Sequence, residues 1–421
     1  MEAQLDPIFQ DRIDAKAVPG AAAVALDRNG NVLFSKGYGN TTVGDESSPK
    51  VTPSTLTLIF SCTKLVTAVA MLQLIEQGKA DLMDPASKYF PPIAKLKLLK
   101  GWNEDGTPEL VEPENEILLL HLFTHTSGTG YDFFSGDLLR YRVQQAQPVM
   151  TYMTEGTLES FMTPLAFEPG TKYQYGVSFD FLGLCLEKVS GMRLDQYVDK
   201  HIIRPLGLEN TGISLNEEQT KNLFPVHAKD AEGKLTPTPT RPKEDPEVVG
   251  GGHFLYSTAE DYAQILLVLL NNGTHPTSKV RILKPETVKD YIFTDMLPKV
   301  GCSNEGVGEI PSTIPQVSCE GTFMPGIPKG WSLGGMINHE DLPNGRKKGS
   351  LSWSGLGNLY YWVDRTEGYL GMVGSAYLPY FDKDALHLAD ALERAVYGKP
   401  MAKEIGEKGS NFEGGNYEVA Q

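Results

Sequence analysis

Leu58-Ile-Phe-Ser61-Cys-Thr-Lys64-Leu-Val-Thr-Ala-Val-Ala-Met-Leu-Gln-Leu-Ile-Glu-Gln77 is the stretch on which the reading of this chain turns. A short apolar run, Leu58-Ile59-Phe60, gives way to a helical period in which Leu65, Val66, Val69, Leu72, Leu74 and Ile75 make a broad apolar face. Gly78 supplies the stop. The spacing predicts a helix over 61–77 with Ser61 at its mouth. Ser61-Cys62-Thr63-Lys64 has the form S-x-x-K, a pattern that a chain of this length holds roughly twice by chance. The second match, Ser47-Ser48-Pro49-Lys50, lies in a polar, proline-containing loop and opens no helix.

Three positions along a helix, side chains share a face with Cβ atoms about 5–6 Å apart, so Lys64 can reach the Ser61 hydroxyl. A helix N-terminus offers free N–H groups and positive partial charge to an oxyanion formed there. A buried lysine loses the solvation of its ammonium form, and a neutral amine can take the serine proton. On spacing alone a second reading stays open, in which Ser61 is an N-cap and Lys64 runs its stem along the surface.

Outward from this helix the chain organises itself around strand pairs near both ends. A short helix over 7–16 stops at Val18-Pro19-Gly20. Ala21–Leu26 and Asn31–Ser35 flank Asp27-Arg28-Asn29-Gly30, a hairpin signal. Strand patterns return at 351–354, 359–364 and 369–375, and an amphipathic helix over 384–396 follows them. Between lie an acidic, turn-rich excursion (100–116) and helices at 117–124, 181–189 and 194–203. A proline-rich surface loop follows (229–247), then a helix over 257–270 capped by Ser257 or Thr258, then a loop-like stretch (300–330). The economical arrangement is α+β: an antiparallel sheet built from both chain ends and flanked by helices, with a mainly helical inserted region. We expect one catalytic domain over 1–400, its α/β part at about 1–60 and 250–400 and its helical part at about 61–249. A frayed tail is expected after Gly398, over 401–421.

Composition removes several function classes. The 421 residues carry 38 Lys+Arg against 53 Asp+Glu, a net charge of −15, which repels nucleic-acid phosphates and anionic lipid surfaces. No stretch approaches the roughly 18 apolar residues of a membrane helix, and no secretory leader is recognised at the N-terminus. Four cysteines make no disulfide framework, although Cys302 and Cys319 can meet across a loop; a cytoplasmic protein with reduced thiols is the expectation. His121 and His125 stand four apart without the companions of a metal site and are read as structural, as His253 is in the main, although it lies where it can approach the cleft. Gly250-Gly-Gly252 lacks the Gly-Lys-Ser/Thr of a phosphate loop, and no G-x-S-x-G elbow is present.

After the S-x-x-K come, in order, Leu122-Phe-Thr-His125-Thr-Ser-Gly128, Glu168-Pro-Gly170-Thr-Lys-Tyr-Gln-Tyr175, Phe181-Leu-Gly183 and Gly250-Gly-Gly-His-Phe-Leu-Tyr-Ser257. In this order the chain resembles the serine β-lactamase and penicillin-binding-protein-like family from about Val18 to Ser375. The resemblance is nearest to the esterase and transesterase branch that includes fungal acyltransferases of polyketide biosynthesis. It implies Ser61 as nucleophile, Lys64 as its amine, and Tyr175, opening Tyr175-Gly-Val177, as a proton carrier able to act as phenolate. Tyr173 is the rival. It also implies an edge strand, Trp353-Ser-Gly-Leu356, whose Leu356 N–H completes an oxyanion hole with that of Ser61, Gly355 permitting the close approach. Val177 and Trp353 stand where penicillin-processing members carry Asn and Lys, which turns the expectation from β-lactams toward neutral, apolar esters.

The resemblance therefore implies a serine acyltransferase that moves an acyl group from an ester or thioester, free or held on a carrier protein, to an alcohol in secondary (polyketide) metabolism. No cofactor and no metal are expected. Trp353, Gly355, Tyr131, Phe179 and Tyr360 are the expected substrate walls, with Tyr361 and Trp362 beside them. Two alternatives remain open: a carboxylesterase with the same residues, and a non-catalytic binding protein that retains the cleft.

Overall fold

The computed structural model describes residues 1–406 and 410–416. The hairpin forms where the sequence signals it. The Asp27 carboxylate accepts the backbone N–H groups of Asn29 (2.8 Å) and Asn31 (2.9 Å) and the Asn31 side-chain amide (2.8 Å). That closes the turn between β1 (Gly20–Asp27) and β2 (Val32–Gly39). The small apolar residues of β1 are buried on both faces.

Five further strands complete the main sheet: β3 (Lys329–Trp331), β4 (Met336–Asn338), β5 (Leu351–Gly355), β6 (Leu359–Asp364) and β7 (Tyr369–Gly374). The order is β3-β4-β5-β6-β7-β1-β2, antiparallel throughout. β1 meets β7 in a register running from Ala22 opposite Gly374 to Asp27 opposite Tyr369, so the two ends of the chain are joined in one sheet. Helices α1 (Glu2–Asp14), α2 (Thr63–Glu76), α3 (Ser178–Ser190), α4 (Ala259–Leu270) and α5 (Lys383–Val396) are the long ones. Consecutive β6 residues point to opposite faces of the sheet. Tyr361 meets Tyr262 of α4, and Tyr360 meets Tyr380 and Phe412, so both faces are covered. α1 packs on α5 and β2, while α2 and α3 pack together within the inserted helical region. The α+β architecture is the one expected.

The structure departs from expectation in four places. The 100–116 excursion contains a hairpin, Leu98–Trp102 with Pro108–Val111. The 300–330 stretch is not all loop, because Glu309–Ile310 and Gly321–Phe323 pair. The tail is not simply frayed. Phe412–Gly414 adds a strand beside Gly321–Phe323, and Asn411 donates to Glu393 of α5 (3.0 Å), which gives this polar segment partners that its composition does not announce. Residues 407–409 and 417–421 of the tail lie outside the described residues. Finally, Ser61 lies not in α2 but in a 3-10 turn, Phe60–Cys62, that leads into it. All four cysteines are free and buried. Among the described residues no helix is long and apolar enough to cross a membrane.

Candidate active site

Phe60 has φ of +45°, a left-handed conformation uncommon for an aromatic residue, and the tight turn it begins carries Ser61 to the mouth of α2. Segment 250–257 wraps this turn. Leu255 accepts from the Ile59 N–H (2.9 Å) and donates its own N–H to Thr63 Oγ1 (3.2 Å), and Thr67 donates to the Gly251 carbonyl (2.7 Å). Thr258 caps α4 by accepting from the Asp261 N–H (3.0 Å), and Tyr262 of α4 reaches the Cys62 carbonyl (2.9 Å). The Ser61 turn is thus clamped by segment 250–257 and α4.

Lys64 is 3% exposed, and its Nζ lies 3.1 Å from Ser61 Oγ, 3.0 Å from the Tyr131 hydroxyl and 2.9 Å from the Gly252 carbonyl oxygen. Burial strips solvent from the ammonium and pulls Lys64 down to about 7, with the Asp180 charge pulling partway back. The Gly252 carbonyl can only accept, so it always takes one N–H. The other two partners are hydroxyls, which donate as readily as they accept. When the amine is neutral its lone pair therefore faces a hydroxyl proton.

Tyr175 enters from the segment before α3. Its ring centroid is 4.7 Å from Lys64 Nζ, and its oxygen accepts from Trp353 Nε1 at 2.9 Å. Burial pushes both Tyr175 and Tyr131 well above the ordinary phenol range, more than hydrogen bonding with Ser61 pulls either down. Burial therefore favours the neutral phenol at Tyr175, the residue expected above to be able to act as phenolate. Tyr173, the rival, is not beside the serine. Its ring packs on His125 and Trp331, and its hydroxyl is buried without a partner. Tyr131, expected as a wall, lines the cleft and also bonds Lys64, so it joins Tyr175 beside the amine.

From the sheet side, β5 ends beside the serine turn. A Cβ on Gly355 would lie 2.4 Å from the Ile59 carbonyl oxygen, so only glycine allows this approach. Leu356 follows and lines a narrow cleft of about 340 Å³ of empty space, together with Ser61, Tyr131, Tyr175, Trp353 and Ser354. Phe133, Phe134, Met153, Ile310 and Tyr380 complete its walls.

Two expected wall residues stand elsewhere. Phe179 turns inward from α3 onto Phe123 and His125, the buried side of that helix. Tyr360 is buried behind Tyr380 and Phe412 and donates to Asn358 (2.8 Å). Tyr361 and Trp362 are likewise buried in the sheet and do not line the cleft. His125 is buried among Tyr175, Phe179 and Trp331, and burial pushes it well below the ordinary histidine value. His121 accepts from the Leu118 N–H (3.2 Å), and burial pushes it to about 4. Among the described residues no group of three or more metal-ligating side chains is present.

A buried amine on a serine hydroxyl, two phenols and a β-strand end closing over them can form and resolve an acyl-serine. The beta-lactamase family model matches residues 5–395. Monacolin J acid methylbutanoyltransferase of Aspergillus terreus is 27% identical over 406 residues, covering 94% of this chain and 95% of its own length. Lovastatin esterase of Penicillium rubens is 29% identical over 384 residues, covering 87% and 91%. The unliganded structure of simvastatin synthase from Aspergillus terreus superposes with a TM-score of 0.78 at 25% identity, over 94% of this chain and 98% of the other. By fold, motif order and family match, the chain belongs to the beta-lactamase family.

Proposed function

We propose that the protein is a serine acyltransferase that takes an acyl group from an ester or thioester onto Ser61 and passes it to an alcohol. The observation that carries this reading is the Lys64–Ser61 contact inside a buried pocket, where the amine is pulled down to about 7. In the first half-reaction neutral Lys64 takes the Ser61 proton as Oγ attacks the acyl carbon. The N–H groups of Ser61 and Leu356 hold the oxyanion. The Tyr175 oxygen already accepts from Trp353, which leaves its O–H to donate toward Ser61 and the departing alkoxide or thiolate. Tyr131 holds the amine in place. The second half-reaction runs these steps in reverse with an alcohol as nucleophile.

The apolar lining favours a neutral acyl group and an apolar acceptor, and excluding water favours transfer over hydrolysis. Relatives named as acyltransferases support a place in secondary, polyketide-derived metabolism; the donor would be a small thioester or ester, free or on a carrier protein. One relative is named an esterase, which keeps hydrolysis as the second reading.

The test is intact-protein mass spectrometry after exposure to a panel of acyl thioesters, followed by chase with alcohol or water. The expected result is a Ser61 adduct that alcohol discharges as ester. An adduct discharged only to acid, whatever the alcohol concentration, would make the protein an esterase. Failure of a fluorophosphonate to label folded protein at Ser61 would make it a binding protein.

A further inference from the structure

Asp180 sits in the first turn of α3 and is 1% exposed. Its Oδ1 accepts the Gly252 N–H at 2.9 Å, and the carbonyl of that same residue accepts from Lys64 at 2.9 Å. Gly252 is thus held at both polar atoms, by a carboxylate on one side and the amine on the other. A Cβ there would lie 3.0 and 3.2 Å from the two carboxylate oxygens and 3.1 Å from Lys64 Nζ, so carboxylate and amine converge on this one backbone unit. The second carboxylate oxygen, Oδ2, is buried without a hydrogen-bond partner. An orphaned buried oxygen is costly, and hydrogen bonding within the loop does not explain keeping a charge where an amide would fit. His253 also faces the carboxylate, its Nδ1 3.3 Å from Oδ1. Its Nε2 donates to the Tyr152 carbonyl at 3.0 Å, since a carbonyl can only accept.

From this geometry we infer that Asp180 is a positioning residue for the reaction, holding the Gly252 carbonyl on Lys64 and supplying the negative charge against which that amine gains and loses its proton. This rests on the reading of Lys64 as the base for Ser61. The other groups facing the amine are Ser61, Tyr131, Tyr175, Cys62 and His125. Burial pushes the phenols and the thiol up and His125 down, so all of these are neutral near neutral pH. The Asp180 carboxylate is the anion in the set and stabilises the ammonium form, raising Lys64 from where burial alone would leave it.

Asp180→Asn keeps an oxygen for the Gly252 N–H and removes the charge, so Lys64 loses its proton at lower pH. The acid limb of kcat/KM, which reports the base in free enzyme, moves down by about half a unit or more. Asp180→Ser gives the same downward movement, because the effect follows charge and not shape. A purely structural role would lower activity and leave the limb in place, and an unmoved limb in a folded variant overturns the inference. In the unaltered protein, the carboxylate infrared band should shift across pH about 6 to 8 as the amine titrates, and the shift should vanish in Lys64→Met. Its absence overturns the inference even if neither Asp180 variant folds. Fluorophosphonate labelling of the unaltered protein separates this failure from failure of the serine–lysine reading, since labelling depends on that reading and not on Asp180.

Discussion

The floor and the rim of the cleft are built by opposite rules. On the floor, Lys64, Tyr131, Gly252 and Asp180 bring polar atoms into a buried volume and tie nearly every one of them to a partner. On the rim, Phe133, Phe134, Met153, Ile310 and Leu356 offer apolar surface and little hydrogen bonding. A buried polar network is costly unless satisfied and so tolerates little change, whereas an apolar wall can trade one side chain for another of similar volume. The contrast separates what decides that an acyl-serine forms from what decides which acyl group and acceptor enter.

The largest expected effect breaks the floor outright. Ser61→Ala should abolish covalent acylation, with turnover falling by roughly 10⁴-fold or more, measured by thioester labelling and steady-state rates. An adduct persisting at full yield would place the nucleophile elsewhere. Next come the two phenols. Tyr175→Phe removes the proposed proton donor and should slow turnover by roughly 10²–10⁴-fold, whereas Tyr131→Phe removes one partner of Lys64 and should cost about tenfold. The reverse order would exchange their roles. In the unaltered protein, kcat/KM should be full above about pH 7 and fall with decreasing pH below it, because the active form is the neutral amine and Lys64 is pulled down to about 7. A flat profile from pH about 5 to 8 would remove Lys64 as the base.

The same division governs how much was legible in the sequence. Ser61 and Lys64 could be read because their relation is local: three positions at the start of a helix set the contact whatever the rest of the fold does. The two-ended sheet could be read because strand patterns cluster near the termini. Tyr131 reaches Lys64 from 67 residues away in sequence, through a loop whose path no periodicity records. Asp180 and Gly252 are 72 residues apart and bear on Lys64 only after the 250–257 segment wraps α2. Phe179 and Tyr360 are aromatic residues in the right elements that other side chains bury away from the cleft, and composition cannot tell which positions of a fully buried strand or helix reach a cavity. Tyr360 is screened by Phe412 and Tyr380, and the docking of Phe412 depends on tail pairing with Gly321–Phe323 that the polar 401–421 segment does not advertise. The positive φ of Phe60 has no marker in sequence at all.

A polar pair interrupts the apolar rim. Ser354 Oγ and the Tyr380 hydroxyl lie 2.6 Å apart, both lining the otherwise apolar rim. Two hydroxyls carry two protons, and only one can lie between the oxygens. The other has no protein acceptor among the described residues and is left to donate to a substrate oxygen. Either Ser354→Ala or Tyr380→Phe alone leaves one proton free to donate, whereas removing both hydroxyls takes the spare proton away with the pair. The ratio of kcat/KM for p-nitrophenyl 4-oxopentanoate to that for p-nitrophenyl pentanoate should then fall by about threefold to tenfold, the worth of one neutral hydrogen bond. An unchanged ratio, with the same null result for oxygen-bearing against plain alcohol acceptors, would make the pair part of the sheet's packing, and selection at the rim would then rest on shape alone.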